Sequence, residues 1–239
     1  GKFLSWLRYG YWTPHGTVFD RGIATTEALV RFEKGSKAEL SGGMDEFDNG
    51  NGSLMRILPL VFITGEMSVA KRYELVKKVS SITHMHFRSV FACFIYTEYA
   101  RILLTGVDKF EAYELMLKEV KQFISVNDFN PNEINRFGRV LNGSVHELLR
   151  EEISGSGYVL HTLEASFWSF LTTDTFSDAV LKSVNLGEDT DTTGAVTGGL
   201  AGLYYGSSEL PKKWMEKIAL REDIEQLITE FEAVVEKFN

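Results

Sequence analysis

Apolar residues recur along most of the chain with the period of a helix. Ile224, Leu227, Ile228, Phe231, Val234, Val235 and Phe238 keep an i, i+3, i+4, i+7 spacing. Phe87, Val90, Phe91, Phe94, Ile95, Ile102 and Leu103 do the same, as do Phe176, Ala179, Val180 and Val184. The pattern predicts further helices over roughly 22–34, 53–64, 68–82, 109–124 and 158–171. Gly1 to Tyr9 also reads as an amphipathic helix, with Phe3, Leu4, Trp6 and Leu7 apolar. No run alternates with the two-residue period of a strand. The expectation is an all-α protein with one domain over residues 1–239.

The interruptions carry more information. One loop runs from Gly10 to about Gly22 and contains Tyr11, Trp12, His15 and Asp20. A second runs from Gly35 to Gly52 and holds Asp48-Asn49-Gly50-Asn51-Gly52; a loop of that length inside a compact domain is functional or disordered. Ser154-Gly155-Ser156-Gly157 reads as a plain connector. The last interruption is an acidic turn, Gly187-Glu188-Asp189-Thr190-Asp191-Thr192-Thr193-Gly194.

Composition narrows the function classes. The net charge of −8 and pI near 5.2 argue against a nucleic-acid footprint, which requires a basic face. Gly194 to Gly206 is too short and glycine-rich to cross a membrane. Cys93 is the one cysteine, so no intrachain disulfide can form, which fits a reducing, cytoplasmic setting. It lies in an apolar run and is expected to be a buried thiol rather than a nucleophile.

Asp189 and Asp191, one residue apart with Thr192 beside them, can point into one space at a helix start. Two carboxylates and a hydroxyl suit Mg²⁺, Mn²⁺ or Ca²⁺ better than zinc. The alternative is an ordinary helix cap, since Asp and Thr favour helix N-termini. The next helix bears on the choice. Gly194, Gly198 and Gly202 recur every fourth residue, and each interior glycine costs roughly 1 kcal/mol relative to alanine. Such a helix must gain from close packing. That would bury the acids near the middle of the molecule, where they need a compensating cation.

The run from Gly187 to Gly206 resembles the C-terminal signature of the ADP-ribosylglycohydrolase family. Asn51-Gly-Ser-Leu-Met-Arg-Ile-Leu-Pro59, Ile82-Thr-His84 and Val18-Phe-Asp-Arg-Gly22 followed by Thr25 and Thr26 are similar to further elements of that family, in the same order. The resemblance covers essentially the whole chain. It implies an orthogonal multi-helix bundle with a dinuclear Mg²⁺ or Mn²⁺ centre that removes ADP-ribose from a modified protein or small conjugate. Asp189, Asp191 and Thr192 would be metal ligands. Asp48, Asn49, Gly50, Asn51, Gly52 and Ser53 would hold ADP-ribose, chiefly through backbone groups, with His84 nearby. Asp20 corresponds to an acid that assists catalysis.

The family also carries an upstream Thr-Asp-Asp-Thr motif and a glutamate, neither of which is present here. The domain is therefore expected to be N-terminally incomplete, with a preceding segment or a dimer partner completing the site. The alternative function is a catalytically incomplete ADP-ribose-binding or structural module of the same fold.

On the residues alone, a glycine loop around Asn51 lets a backbone approach a pyrophosphate, or merely feeds the next helix, with Ser53 as its cap. Arg56 is expected to pair with an acid. His84 and His86 read as one ligand contact or as one capping and one exposed histidine.

Overall fold

The computed structural model describes residues 1–238, and no strand occurs among them. The longer helices are α1 (Lys2–Tyr9), α2 (Ile23–Glu33), α3 (Val69–Ser80), α4 (Phe87–Leu103) and α5 (Lys109–Ser125). Two short helices follow, α6 (Pro131–Asn135) and α7 (Gly138–Leu141). Then come α8 (Val159–Leu171), α9 (Phe176–Val184), α10 (Thr190–Tyr205), the short α11 (Lys212–Met215) and α12 (Arg221–Val235).

α4 is the axis of the molecule. Apolar residues circle it, and every position from Arg88 to Leu103 except Arg101 is buried. A helix apolar on all sides must be covered on all sides. Helices α3, α5, α8 and α10 supply that cover, and α9 packs along α10. Tyr73, Phe91, Phe94, Phe123 and Phe129 form an aromatic cluster at the α3–α4–α5 junction, with ring centroids 5.1–5.8 Å apart. An ion-pair cluster crosses the same junction. Arg72 of α3 donates from Nε and Nη2 to Glu98 of α4, at 2.7 and 2.6 Å.

One predicted helix is different. Residues 53–64 form two tighter 3₁₀ turns, Leu54–Arg56 and Leu58–Ile63. Pro59 explains the break, because it has no N–H to give to an α-helical ladder.

The glycine row of α10 is tightly packed at Gly194 but makes only ordinary contacts at Gly198 and Gly202. A Cβ on Gly194 would lie 2.9 Å from Val184 Cγ1, and one on Gly198 3.5 Å from Val180 Cγ2, so this row faces α9. Gly199 faces the other way, where a Cβ would come within 2.5 Å of Tyr96 Oη and 2.7 Å of Leu58 Cδ2. Tyr96 is buried and donates to Val196 O at 2.9 Å, so it cannot yield cheaply. Gly199→Ala is therefore expected to destabilise by about 1–3 kcal/mol through overpacking. Gly198→Ala, with ordinary contact distances, should be neutral or stabilise by up to about 1 kcal/mol. Urea unfolding of the pair checks this; equal effects would contradict the assigned facing of α10.

No helix among the described residues is long and apolar enough to cross a membrane.

Candidate functional site

Four backbone segments are stitched together at one end of the bundle. The Gly35–Gly52 loop meets the turn before α4 through Gly42 N to Ser81 O at 2.8 Å and Met85 N to Gly43 O at 3.0 Å. It meets the segment before α8 through Asn51 N to Gly157 O at 3.1 Å and Val159 N to Asn49 O at 2.9 Å. That segment in turn accepts Asp189 N at Gly155 O, at 2.9 Å. The long loop is therefore ordered by hydrogen bonds on both edges, which satisfies its backbone without a helix or sheet.

Ser154–Gly157 is thus not the plain connector expected from its composition. A Cβ on Gly155 would sit 2.4 Å from Gly187 O, and one on Gly157 would sit 2.9 Å from Asp189 Oδ2. Both glycines are needed for the acidic turn to approach. Glycines at alternate positions immediately before an apolar helix were the available signal.

Asn51 is the hub of the side chains. Its Nδ2 donates to Thr162 Oγ1 and to Asp189 Oδ2, each at 2.8 Å. Burial pushes the Asp189 carboxyl up, but hydrogen bonds from Asn51 and Thr192 outweigh it and hold the group below its ordinary value. Gly187 and Glu188 precede it with φ of 87° and 58°. The left-handed Glu188 costs about 1–2 kcal/mol, so the bend that delivers Asp189 is held by its surroundings.

Thr192 is buried, and its hydroxyl serves the Asp189 carboxylate, with Met55 Sδ 4.0 Å away as a weak second contact. Asp191 is exposed and Asp189 half-buried, so the acids are not sunk in the middle of the protein as expected. The glycine packing begins only after them, at Gly194. No group of three or more His, Cys, Asp or Glu side chains stands ready for a metal among the described residues. The donor atoms present are the Asp189 and Asp191 carboxylates and the Thr192 hydroxyl. In kind they are hard oxygens that fit Mg²⁺ or Mn²⁺.

Gly50 and Gly52 form the floor of a cradle over His84. A Cβ on Gly50 would lie 3.3 Å from His84 Nε2, and one on Gly52 2.8 Å from Cε1. His84 is 3% exposed. Burial first and the Arg56 cation second push its pKa down to about 4. His86 is the capping histidine, accepting Arg88 N at 3.2 Å.

A histidine whose folded pKa lies below its unfolded value of about 6.5 stabilises the fold at higher pH. That contribution is complete above the unfolded pKa and is lost as pH falls toward the folded one. From 6.5 to about 4 it amounts to about 3 kcal/mol. Stability curves should therefore fall less steeply between pH 6.5 and 4 in His84→Asn than in the wild type. Parallel curves would contradict a neutral, buried His84.

The remaining candidates divide. Asn49 is buried, its Nδ2 donates to Glu46 O, and its Oδ1 has no partner. Asp48 Oδ2 accepts Asp45 N at 2.9 Å and fills the space beside Gly43, so it closes the loop's own turn. Ser53 is fully buried and its hydroxyl accepts from Ser80 at 2.9 Å, pointing into the interior. It therefore makes no side-chain cap to the Leu54–Arg56 turn. Arg56 pairs with no acid among the described residues; it donates to Gly52 O and to Thr83 Oγ1. Asp20 is exposed on the loop before α2 and makes no hydrogen bond or ion pair with the others among the described residues. Cys93 is buried, and burial raises its thiol to about 11, as an inert core cysteine requires.

An all-helical bundle with a glycine cradle beside an Asp-x-Asp-Thr helix start defines a recognisable class. The chain belongs to the ADP-ribosylglycohydrolase family, which matches residues 1–238. It is 32% identical over 227 residues to the ADP-ribosylarginine hydrolase Tri1 of Pseudomonas putida, covering 95% of this chain and 57% of that protein. It is 29% identical to the ADP-ribosyl-[dinitrogen reductase] glycohydrolase of Rhodospirillum rubrum, covering 74% of this chain and 53% of the relative. A solved structure of an ADP-ribosylglycohydrolase-related protein complex superposes with a TM-score of 0.69 at 32% identity. That match covers 86% of this chain and 66% of the solved one, and it shares the all-α fold. The chain thus spans a little over half the length of the curated relatives it matches.

Proposed function

We propose that this chain forms the ADP-ribose site of a metal-dependent hydrolase that releases ADP-ribose from modified proteins by cleaving the bond at the ribose anomeric carbon. Arginine-linked ADP-ribose is the first substrate to try, because the Tri1 relatives are named for it. One observation carries the reading. Asn51, from the glycine loop, holds Asp189 at the start of α10, so the ligand cradle and the acidic turn form one unit.

Asp189, Asp191 and Thr192 would hold Mg²⁺ or Mn²⁺. Such an ion supplies Lewis acidity and a water activated at neutral pH. The chain's own groups do the rest. Gly50 and Gly52 would admit the ligand close to the backbone beside His84, and Asn51 orients Asp189. Asp20, on its exposed loop, would act as the assisting acid.

Arginine-ADP-ribosylated protein incubated with the chain and Mg²⁺ should release free ADP-ribose, followed by chromatography. Binding without release would favour the second reading, a binding module. The lack of a third acidic or histidine ligand among the described residues supports that alternative. Gly52→Ala, which drives a methyl into His84, should weaken ADP-ribose binding at least about tenfold. Calorimetry checks it, and unchanged affinity would remove the cradle from the site.

A further inference from the structure

Behind the cradle, Arg56, Thr83 and His84 form a short chain of hydrogen bonds. Arg56 Nη2 donates to Thr83 Oγ1 at 2.6 Å, and Thr83 Oγ1 lies 2.7 Å from His84 Nδ1. Arg56 also donates to Gly52 O, so one guanidinium grips both the loop above and the threonine below. Thr83 is 1% exposed and His84 3%. The imidazole's other nitrogen, Nε2, makes no hydrogen bond among the described residues and faces Gly50 and Gly52.

Two proton arrangements fit the Thr83–His84 distance. In one, Nδ1–H donates to Thr83. The threonine oxygen would then accept from both Arg56 and His84, and its own proton would be buried without an acceptor. Such a group costs about 1–3 kcal/mol. In the other, Thr83 accepts from Arg56 and donates to Nδ1, so the threonine hydroxyl and Nδ1 are both satisfied and only Nε2–H is left for a ligand. The second arrangement places the imidazole proton on Nε2.

We propose that Arg56 and Thr83 are positioning residues that hold His84 in the Nε2–H tautomer, aimed between Gly50 and Gly52 as a neutral donor to an oxygen of the bound ligand. The identity of that ligand, ADP-ribose, rests on the function proposed above; the tautomer does not. The Arg56 cation has no acid partner among the described residues and, after burial, opposes a second proton on the ring more than the Asp48 carboxylate favours it. His84 is therefore a donor that does not need protonation, and its bond to the ligand persists through neutral pH. Lysine or protonated histidine could supply the same contact only with a buried positive charge.

The test uses the whole chain with ¹⁵N-labelled histidine. In ligand-free wild type near pH 7, His84 should show a protonated Nε2 and an unprotonated, hydrogen-bonded Nδ1. Thr83→Val keeps the shape and removes the hydroxyl; it should mix the tautomers and weaken ADP-ribose binding about tenfold. Thr83→Ser should restore both. Arg56→Gln should raise the pH at which His84 titrates.

Wild-type protein with the proton on Nδ1, or Thr83→Val with either readout unchanged, would overturn the proposal. An unmoved titration in Arg56→Gln would remove Arg56 from it. If wild type binds no ADP-ribose, the functional reading fails, and the nitrogen shifts of the free protein still decide the tautomer.

Discussion

Asp189→Asn is expected to cut Mg²⁺ affinity and ADP-ribose release by more than about 100-fold while leaving the fold intact. The loss of even an outer partner of a metal site costs about 10–100-fold, and a carboxylate ligand should cost more. The fold should survive because the asparagine keeps an oxygen where Asn51 Nδ2 donates, at 2.8 Å in the wild type. What disappears is the charge, which Asn51 and Thr192 now stabilise against burial. Calorimetry with Mg²⁺ alone, a turnover assay and a thermal melt separate the effects. Unchanged metal affinity and turnover would mean that Asp189 is only a helix-start residue.

The second large effect concerns stability. Glu98→Ala should destabilise the chain by about 3 kcal/mol. Its carboxylate is 1% exposed and takes two hydrogen bonds from Arg72, itself nearly buried. Truncation would strand that guanidinium with only the partly exposed Glu119, at 3.1 Å, and the Met67 carbonyl. Breaking a buried pair from one side costs 3–5 kcal/mol in general, and the surviving Glu119 places this case at the lower end. For a chain of this size that corresponds to a drop in melting temperature of roughly 10 °C. A loss below about 1 kcal/mol would show that Glu119 alone satisfies Arg72.

The sequence was most legible where one physical rule acted alone. The apolar periodicity located α3, α4, α5, α8 and α9 to within a few residues, because each keeps apolar residues at helical spacing with no competing signal. The glycine row of α10 pointed to close packing, which holds at Gly194 but not at Gly198 or Gly202, while Gly199 outside the row is the tightest position. It failed where rules competed. Residues 53–64 kept a helical pattern, but Pro59 turned the segment into 3₁₀. Arg56 looked like half of an ion pair, yet its partners are carbonyls and Thr83, which periodicity cannot reveal.

The candidate site shows the same division. The Asp-x-Asp-Thr turn and the glycine loop were visible as residues, and the structure joins them through Asn51. The contribution of Ser154–Gly157 was not visible. Its role is carried by backbone atoms, Gly155 O and Gly157 O, which leave little mark on residue type beyond the glycines themselves. The depth of the acids was also misjudged, because the first turn of α10 buries Thr192 and Thr193 while Asp191 faces outward.

The most direct test of the joined cradle and acidic turn is a calorimetric titration of ADP-ribose into the folded chain, with and without Mg²⁺. Binding that strengthens with Mg²⁺ is the predicted result. Folded protein that binds no ADP-ribose in either condition would contradict the account.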